Sequence, residues 1–501
     1  MASVPVPSNP PRPASQSVPR RQFLAVGAGA LASAARFPAA RLQKFDLILA
    51  NGRVIDPETR LDGIRHVGLV GRRIAAVSRT PLRGGEVVDV GGLVVAPGFI
   101  DCHAHGQDLE NNRVQALDGV TTTLELETGP VDVEAWYAER AGQRLLNFGC
   151  SVGHIAARNF VMVGRSTAGF NGGLDQPAAR RPATPEQIGA MAELVDRGLR
   201  HGALSVGFGI QYVPGATRAE LMAMFRVAAR HGVMCGLHQR YGGMLEPDGL
   251  AGIQELLALA LVTGARLHVE HITSNTGPLV RDALEMLRAA RARGIEVTTD
   301  THPYTAAMTG IESAVFDAGW QERFQIGYGD LQWAATGERL TAESFARYRA
   351  QGGAVVIHMM RPEDVAVAVG HPLTAIISDG ELTGGRGHPR SAGSFSRVLG
   401  RFVREERVLS LPEAIRKMTW YPTQIVGGPA LRSKGRVQVG KDADLTVFDP
   451  TRIIDRATYE EPALPSEGVR HVLVGGRFVV RDGVLRDERA GQPVRRAGSV
   501  G

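Results

Sequence analysis

Two histidines one residue apart, His103 and His105, sit near the end of the run Val95–Asp108, VAPGFIDCHAHGQD. Gly98, Phe99 and Ile100 lead apolar into Asp101, and the β-strand period of two puts both imidazoles on one face. Neutral imidazole is a common transition-metal ligand, and a pair at i and i+2 where a strand runs out can grip one ion without backbone strain. Further along the chain, other strand-like runs end in groups of the same kind: Glu125 and Glu127, His238, His271, then Asp300, His302 and Tyr304, and Asp379. Any one of these, or His154, reads equally well as a capping or internally satisfied polar residue. Taken together they demand more, because ionisable groups gathered at one rim must be paired with each other or with a metal.

The elements that carry these groups alternate between short apolar strands and amphipathic helices. FIDCHAH, VTTTLELE, LNFGCSVGHI, ALSVGFGI, VMCGLHQR, ARLHVEHIT, EVTTDTHPY and TAIISDG are eight candidate strands. Helical patterns separate several of them, for example Pro185 to Arg200 and Gly249 to Gly264. Eight βα units predict an α/β fold of the TIM (β/α)8 barrel type over residues 95–434, with the reactive groups at the C-terminal strand ends. Val355 to Met359 reads as an extra strand inside an insertion before the eighth unit. The flanks have a different texture: residues 45–94 and 435–490 are strands and Gly-rich turns, which predicts a small composite β-sandwich domain built from both chain ends.

At 501 residues the chain can bury one large core and a satellite domain. Cys102, Cys150 and Cys235 all fall in predicted strands and read as packing thiols. The net charge of +6 owes much to Arg12, Arg20, Arg21, Arg36 and Arg41 near the start, and no later basic run is interleaved with aromatics, so a nucleic-acid partner is not expected. Arg20-Arg21-Gln22-Phe23-Leu24 opens an apolar Ala/Gly run ending near Ala32-Ser33-Ala34, which looks like a twin-arginine export signal with a small-residue cleavage site. Residues 1–40 are therefore set apart from the fold as signal and disordered N-terminus, and a periplasmic or secreted location after transient engagement of the export machinery is expected. The apolar run is too short and Gly-rich to span a bilayer.

The order HxH, His, His, Asp on strands one, five, six and eight resembles the amidohydrolase superfamily, as does GKDADLTVFDP at Gly440–Pro450, and the likeness spans nearly the whole mature chain. Many binuclear members use a carbamylated lysine on the fourth strand. Lys44, Lys417, Lys434 and Lys441 all lie outside the predicted barrel strands, so that arrangement is excluded here. N-acyl-D-amino-acid deacylases (D-aminoacylases) are more similar: Tyr212 before VPG, His238-Gln239-Arg240, DTHPYTAAMTG at Asp300–Gly310, and SDGELTGGRGHPRSAGSFSRVLGRFVRE at Ser378–Glu405. No GxSxG nucleophile elbow is present, which disfavours a serine hydrolase.

This resemblance implies a metal-dependent hydrolase acting on a carbon–nitrogen bond of a small molecule, in the first place an N-acyl-D-amino acid. It implies one or two Zn²⁺ held by His103, His105, His238, His271 and Asp379, with Glu127 as bridging ligand and Glu125 as the alternative; another divalent ion would serve as well. Asp379 is the expected proton shuttle, Tyr304 the expected donor to the developing oxyanion, and Tyr212, Arg240 and Arg390 the expected substrate contacts. The deacylases place a cysteine where this chain has Thr128 and a lysine where it has Thr273, so the likeness bears on chemistry more firmly than on substrate. Dipeptidase, cyclic amidase or lactonase activity at the same centre is the alternative within the superfamily, and a non-catalytic exported metal-binding protein is a distant one. Oligomeric state, acyl group and side chain are not legible.

Overall fold

The computed structural model describes residues 44–164 and 177–496; the twin-arginine stretch lies outside them. All eight predicted core runs form strands: β1 Phe99–Asp101, β2 Val120–Glu125, β3 Asn147–Cys150 continued as Val152–Gly153, β4 Val206–Gly209, β5 Met234–His238, β6 Arg266–Val269, β7 Val297–Thr301 and β8 Thr374–Ile376. Each pairs in parallel with the next, β3 changing partners at Ser151. Beyond β8 the chain meets the end of β1 again: Ala104 bridges Gly380 in parallel, and Asp379 N–H donates to His103 C=O at 2.8 Å.

The connections are helical because their apolar residues recur at helical spacing and their ends carry stop signals. The helix Pro185–Arg200 starts on a Thr184/Gln187 capping box, and Arg218–His231 and Gly249–Thr263 end on Gly232 and Gly264 in the left-handed region. Their buried faces, with Phe208, Phe225, Leu256 and Leu284, pack on the outer side of the strands in the largest apolar cluster of the chain.

Strands from both chain ends join in a single nine-stranded sheet, because Val94–Pro97 runs antiparallel to Leu445–Phe448. That strand continues to Pro97 rather than stopping at 94, since it pairs with Leu445–Phe448 along its whole length; Val95 packs with Leu49, Val67 and Leu473, and Val94 and Ala96 pack in a second apolar cluster with Phe99 and Phe448. The far edge strand Arg73–Ser78 curls back to the segment Lys441–Ala443, Ile74 N–H reaching Lys441 C=O at 2.9 Å. One contact escapes the sequence altogether: after the sheet the chain returns to β3, Val494 N–H donating to Phe148 C=O at 2.7 Å.

The expected insertion strand forms as Ala354–His358. It is the centre of a three-stranded antiparallel sheet with Ala306–Gly310 and Leu331–Trp333, and Trp320, Phe345, Trp333 and Tyr348 fill its apolar face.

Candidate metal centre

The strand ends bring four imidazoles and two carboxylates together. Glu127, just beyond β2, is the hub: its Oε2 lies 2.9 Å from His103 Nε2 and 3.2 Å from His105 Nε2, and its Oε1 lies 3.2 Å from His238 Nδ1 and 3.8 Å from His271 Nε2. Asp379 adds Oδ1 at 3.1 Å from His105 Nε2 and 3.6 Å from His103 Nε2. Two overlapping ligand clusters result, His103/His105/Glu127/Asp379 and Glu127/His238/His271, with Glu127 common to both. A carboxylate with one oxygen in each cluster is the geometry of a bridge. Burial alone would raise the Glu127 carboxyl, but the four histidines overcome it and hold it well below the usual carboxylate range.

Two of these residues reach the centre through unusual backbone. His271 and Asp379 have φ of 31° and 51°, in the left-handed region that a non-glycine residue seldom occupies. Such a conformation costs on the order of 1–3 kcal/mol per residue and persists only when surrounding contacts fix it. The contacts are present: His271 N–H donates to the Asp300 carboxylate, and Asp379 N–H to His103 C=O. Gly207 on β4 is required for a different reason, since a Cβ there would stand 2.2 Å from the Glu127 carbonyl oxygen.

A second layer orients the ligands. His105 Nδ1 faces Glu125 Oε2 at 2.8 Å, while Glu125 Oε1 accepts Thr128 N–H at 3.0 Å, so Glu125 turns its carboxylate to the far side of His105. His238 Nε2 meets Gln211 Oε1 at 2.7 Å, and His103 Nδ1 meets Asp300 Oδ2 at 3.4 Å. Outer partners of this kind fix ring orientation and tautomer. Gln211 was not singled out by the sequence, and only its neighbour Tyr212 lies in a recognisable motif. Asp379 is balanced from its other side, its Oδ2 lying 2.7 Å from Arg390 Nη1. Burial raises its carboxyl, but Arg390, His103 and His105 prevail and keep it ionised.

The donor set fits a divalent cation. Glu127 Oε1 and His238 Nδ1 are buried without a hydrogen-bond partner among the described residues, and they point at each other across 3.2 Å. Buried polar atoms left this way carry a desolvation cost that an ion between them removes. Imidazole and carboxylate suit zinc and its neighbours, and neither cluster contains a thiol.

The centre opens into a cavity of about 410 Å³ lined by His105, Glu127, Tyr212, His238, His271, Asp379 and Arg390 among others. Tyr212 sits there with its ring 4.7 Å from that of His238. Two expected contacts are absent from it. Tyr304 is buried with its hydroxyl donating to Asp455 at 2.9 Å and Arg397 stacked over its ring, so its proton is taken by Asp455. Arg240, two residues beyond the end of β5, pairs with Glu255 at 3.0 Å and lines a separate hollow. His302 is buried beside Arg390 and lines no part of the cavity, while His154 lies in a separate buried network with Glu220 and Arg158.

Residues 86–480 match the model of the Amidohydrolase family. The chain belongs to that family. An N-acyl-D-glutamate deacylase and a D-aminoacylase of Alcaligenes xylosoxydans xylosoxydans are 31% and 30% identical to it, each over 91% of this chain and 98% of the relative. Among solved structures, the N-acyl-D-glutamate deacylase of Bordetella bronchiseptica, complexed with zinc and a phosphonate mimic of the tetrahedral intermediate, superposes with a TM-score of 0.78 at 28% identity, covering 90% of this chain and all of that one. A D-aminoacylase with a binuclear metal centre gives 0.77 at 28% identity over the same coverage. The likeness is thus one of architecture over nine-tenths of the chain.

Proposed function

We propose that this amidohydrolase removes the acyl group from an N-acyl-D-amino acid, with zinc held by His103, His105, Glu127, His238, His271 and Asp379. The observation that carries the reading is the placement of Asp379: one carboxylate oxygen lies among the metal ligands and the other is held by Arg390, at the wall of the cavity. Names of the relatives support the substrate class. In fold terms, the run of parallel strands and the return of Ala104 to Gly380 support a closed (β/α)8 barrel over residues 95–434. The curled nine-stranded sheet supports a composite β-sandwich from 45–94 and 435–490.

Held by these six residues, zinc would supply a water whose pKa is lowered to about 7 and would polarise the scissile carbonyl. The chain's own groups supply the rest. Asp379 takes the proton of the attacking water and delivers it to the departing nitrogen, base first and acid second. Arg390 keeps that carboxylate ionised and aimed. Glu125 and Gln211 hold the rings of His105 and His238, so the ligands need no reorganisation during turnover. Tyr212 and Arg390 stand on the cavity wall, where Arg390, besides holding Asp379, receives the α-carboxylate that every N-acyl-amino acid carries.

The twin-arginine run at Arg20-Arg21 supports export of the folded, metal-loaded enzyme to the periplasm or beyond. Among the described residues no helix is long and apolar enough to cross a membrane. The deciding experiment is turnover of N-acyl-D- and N-acyl-L-amino acids, dipeptides, hydantoins and lactones by zinc-loaded protein. Hydrolysis of the N-acyl-D series at the highest kcat/KM is expected. A dipeptide, hydantoin or lactone preferred over every N-acyl-D-amino acid would replace the deacylase assignment.

A further inference from the structure

The cavity holds more carboxylates than cations. Glu125, Glu127, Glu312, Asp379 and Glu381 line it, against the guanidinium groups of Arg140 and Arg390. Four of the five carboxylates are already engaged: Glu127 and Asp379 among the histidines, Glu125 by His105 and Thr128 N–H, and Glu312 by Gly353 N–H at 3.0 Å. Glu381 is different. It is exposed to the cavity two residues past Asp379, and among the described residues no hydrogen bond or ion pair reaches its side chain. The cations, by contrast, are committed. Arg390 pairs with Asp379, and Arg140 lies 4.0 Å over the Trp136 ring while donating to Trp136 C=O at 3.1 Å and to Glu139 at 3.4 Å.

We infer that Glu381 is a specificity-determining residue, giving the cavity a preference for substrates whose amino-acid side chain carries a positive charge over those whose side chain is acidic. The inference deepens the deacylase reading and rests on it. In a partly desolvated cavity a substrate ammonium or guanidinium near an unengaged carboxylate gains attraction that bulk water would screen, whereas a substrate carboxylate meets like charge with no spare cation to offset it.

The test is kcat/KM of the zinc-loaded full chain on N-acetyl-D-lysine, N-acetyl-D-arginine, N-acetyl-D-methionine, N-acetyl-D-glutamate and N-acetyl-D-aspartate, for wild type, Glu381→Gln and Glu381→Lys. The basic substrates are expected to exceed the acidic ones by at least about 10-fold in the wild type, with the ratio falling several-fold in Glu381→Gln and inverting in Glu381→Lys. The ratio compares substrates on one preparation, so partial loss of fold or metal in a variant cancels. A wild-type preference for the acidic pair, equal use of both pairs, or a ratio that neither variant moves would overturn the inference while leaving the deacylase reading standing. Failure to hydrolyse any of the five would remove the deacylase reading and this inference with it.

Discussion

His103 Nε2 lies 2.9 Å from Glu127 Oε2, two side chains 24 residues apart in sequence and delivered by adjacent strands. The same carboxylate turns its other oxygen to His238, so Glu127 ties the two ligand clusters together, while Glu125 stands behind His105.

Removing the hub is therefore expected to differ from removing the support. Glu127→Ala abolishes binding of a second equivalent of metal and reduces activity to a small residue. Glu125→Gln keeps the stoichiometry and weakens metal affinity by about 10- to 100-fold, the usual size of an outer-partner effect. Elemental analysis and metal titration of both variants check this; equal losses of metal at the two positions contradict a bridging role for Glu127.

Asp379→Asn preserves size and one acceptor oxygen but cannot take a proton. Turnover is expected to fall at least about 10³-fold, since general acid–base help alone is worth about 10²- to 10⁴-fold and both proton transfers use this group. The metal held by His238 and His271 stays bound. Kinetics and metal content on the same preparation decide the matter, near-normal turnover ruling out the shuttle.

Tyr304→Phe is expected to leave kcat within about 3-fold of wild type and to cost about 1 kcal/mol of stability, because the lost hydrogen bond is to Asp455. A drop in kcat of about 100-fold with unchanged melting would return Tyr304 to the oxyanion site.

Glu220 lies in the buried network with His154 and Arg158, remote from the cavity lining. Burial raises its carboxyl, but His154 and Arg158 outweigh that and lower it to about 2 from an ordinary 4.5. A depressed carboxylate contributes stability that is complete above pH 4.5 and lost as pH falls through about 2. Integrated over that window the term is on the order of 3 kcal/mol. Glu220→Gln, which leaves Arg158 buried without its counter-charge, is expected to lower stability by about 3 kcal/mol near neutrality. The gap to wild type should narrow between pH 4.5 and 2; a gap that is constant with pH means the pair contributes no titratable stability.

Replacing Arg20 and Arg21 together by lysine should leave active enzyme in the cytoplasm, because a folded metalloprotein depends on the twin-arginine route. Cell fractionation reads this directly, and undiminished periplasmic activity would discard the export signal.

The sequence by itself determined the alternation of strands and helices, the eight core strands and the imidazoles and carboxylates at their ends, because these depend on period and side-chain chemistry that are local. His103 and His105 declare themselves as a pair since a strand places i and i+2 on one face. Composition and period also separated the terminal strands from the middle of the chain, but not the return of Val494 to β3, which depends on a backbone pairing with no side-chain signature. The tertiary structure decided which of two equally spaced glutamates enters the centre. Glu125 and Glu127 share a face by period, yet β2 ends at Glu125, and Glu127, beyond the last paired residue, is free to turn inward. It also decided the fates of Tyr304 and Arg240, whose motif positions are right but whose side chains are taken by Asp455 and Glu255, partners 151 and 15 residues away. The positive φ of His271 and Asp379 has the same origin: the strand period cannot foretell a residue held off it by a hydrogen bond from a different part of the chain.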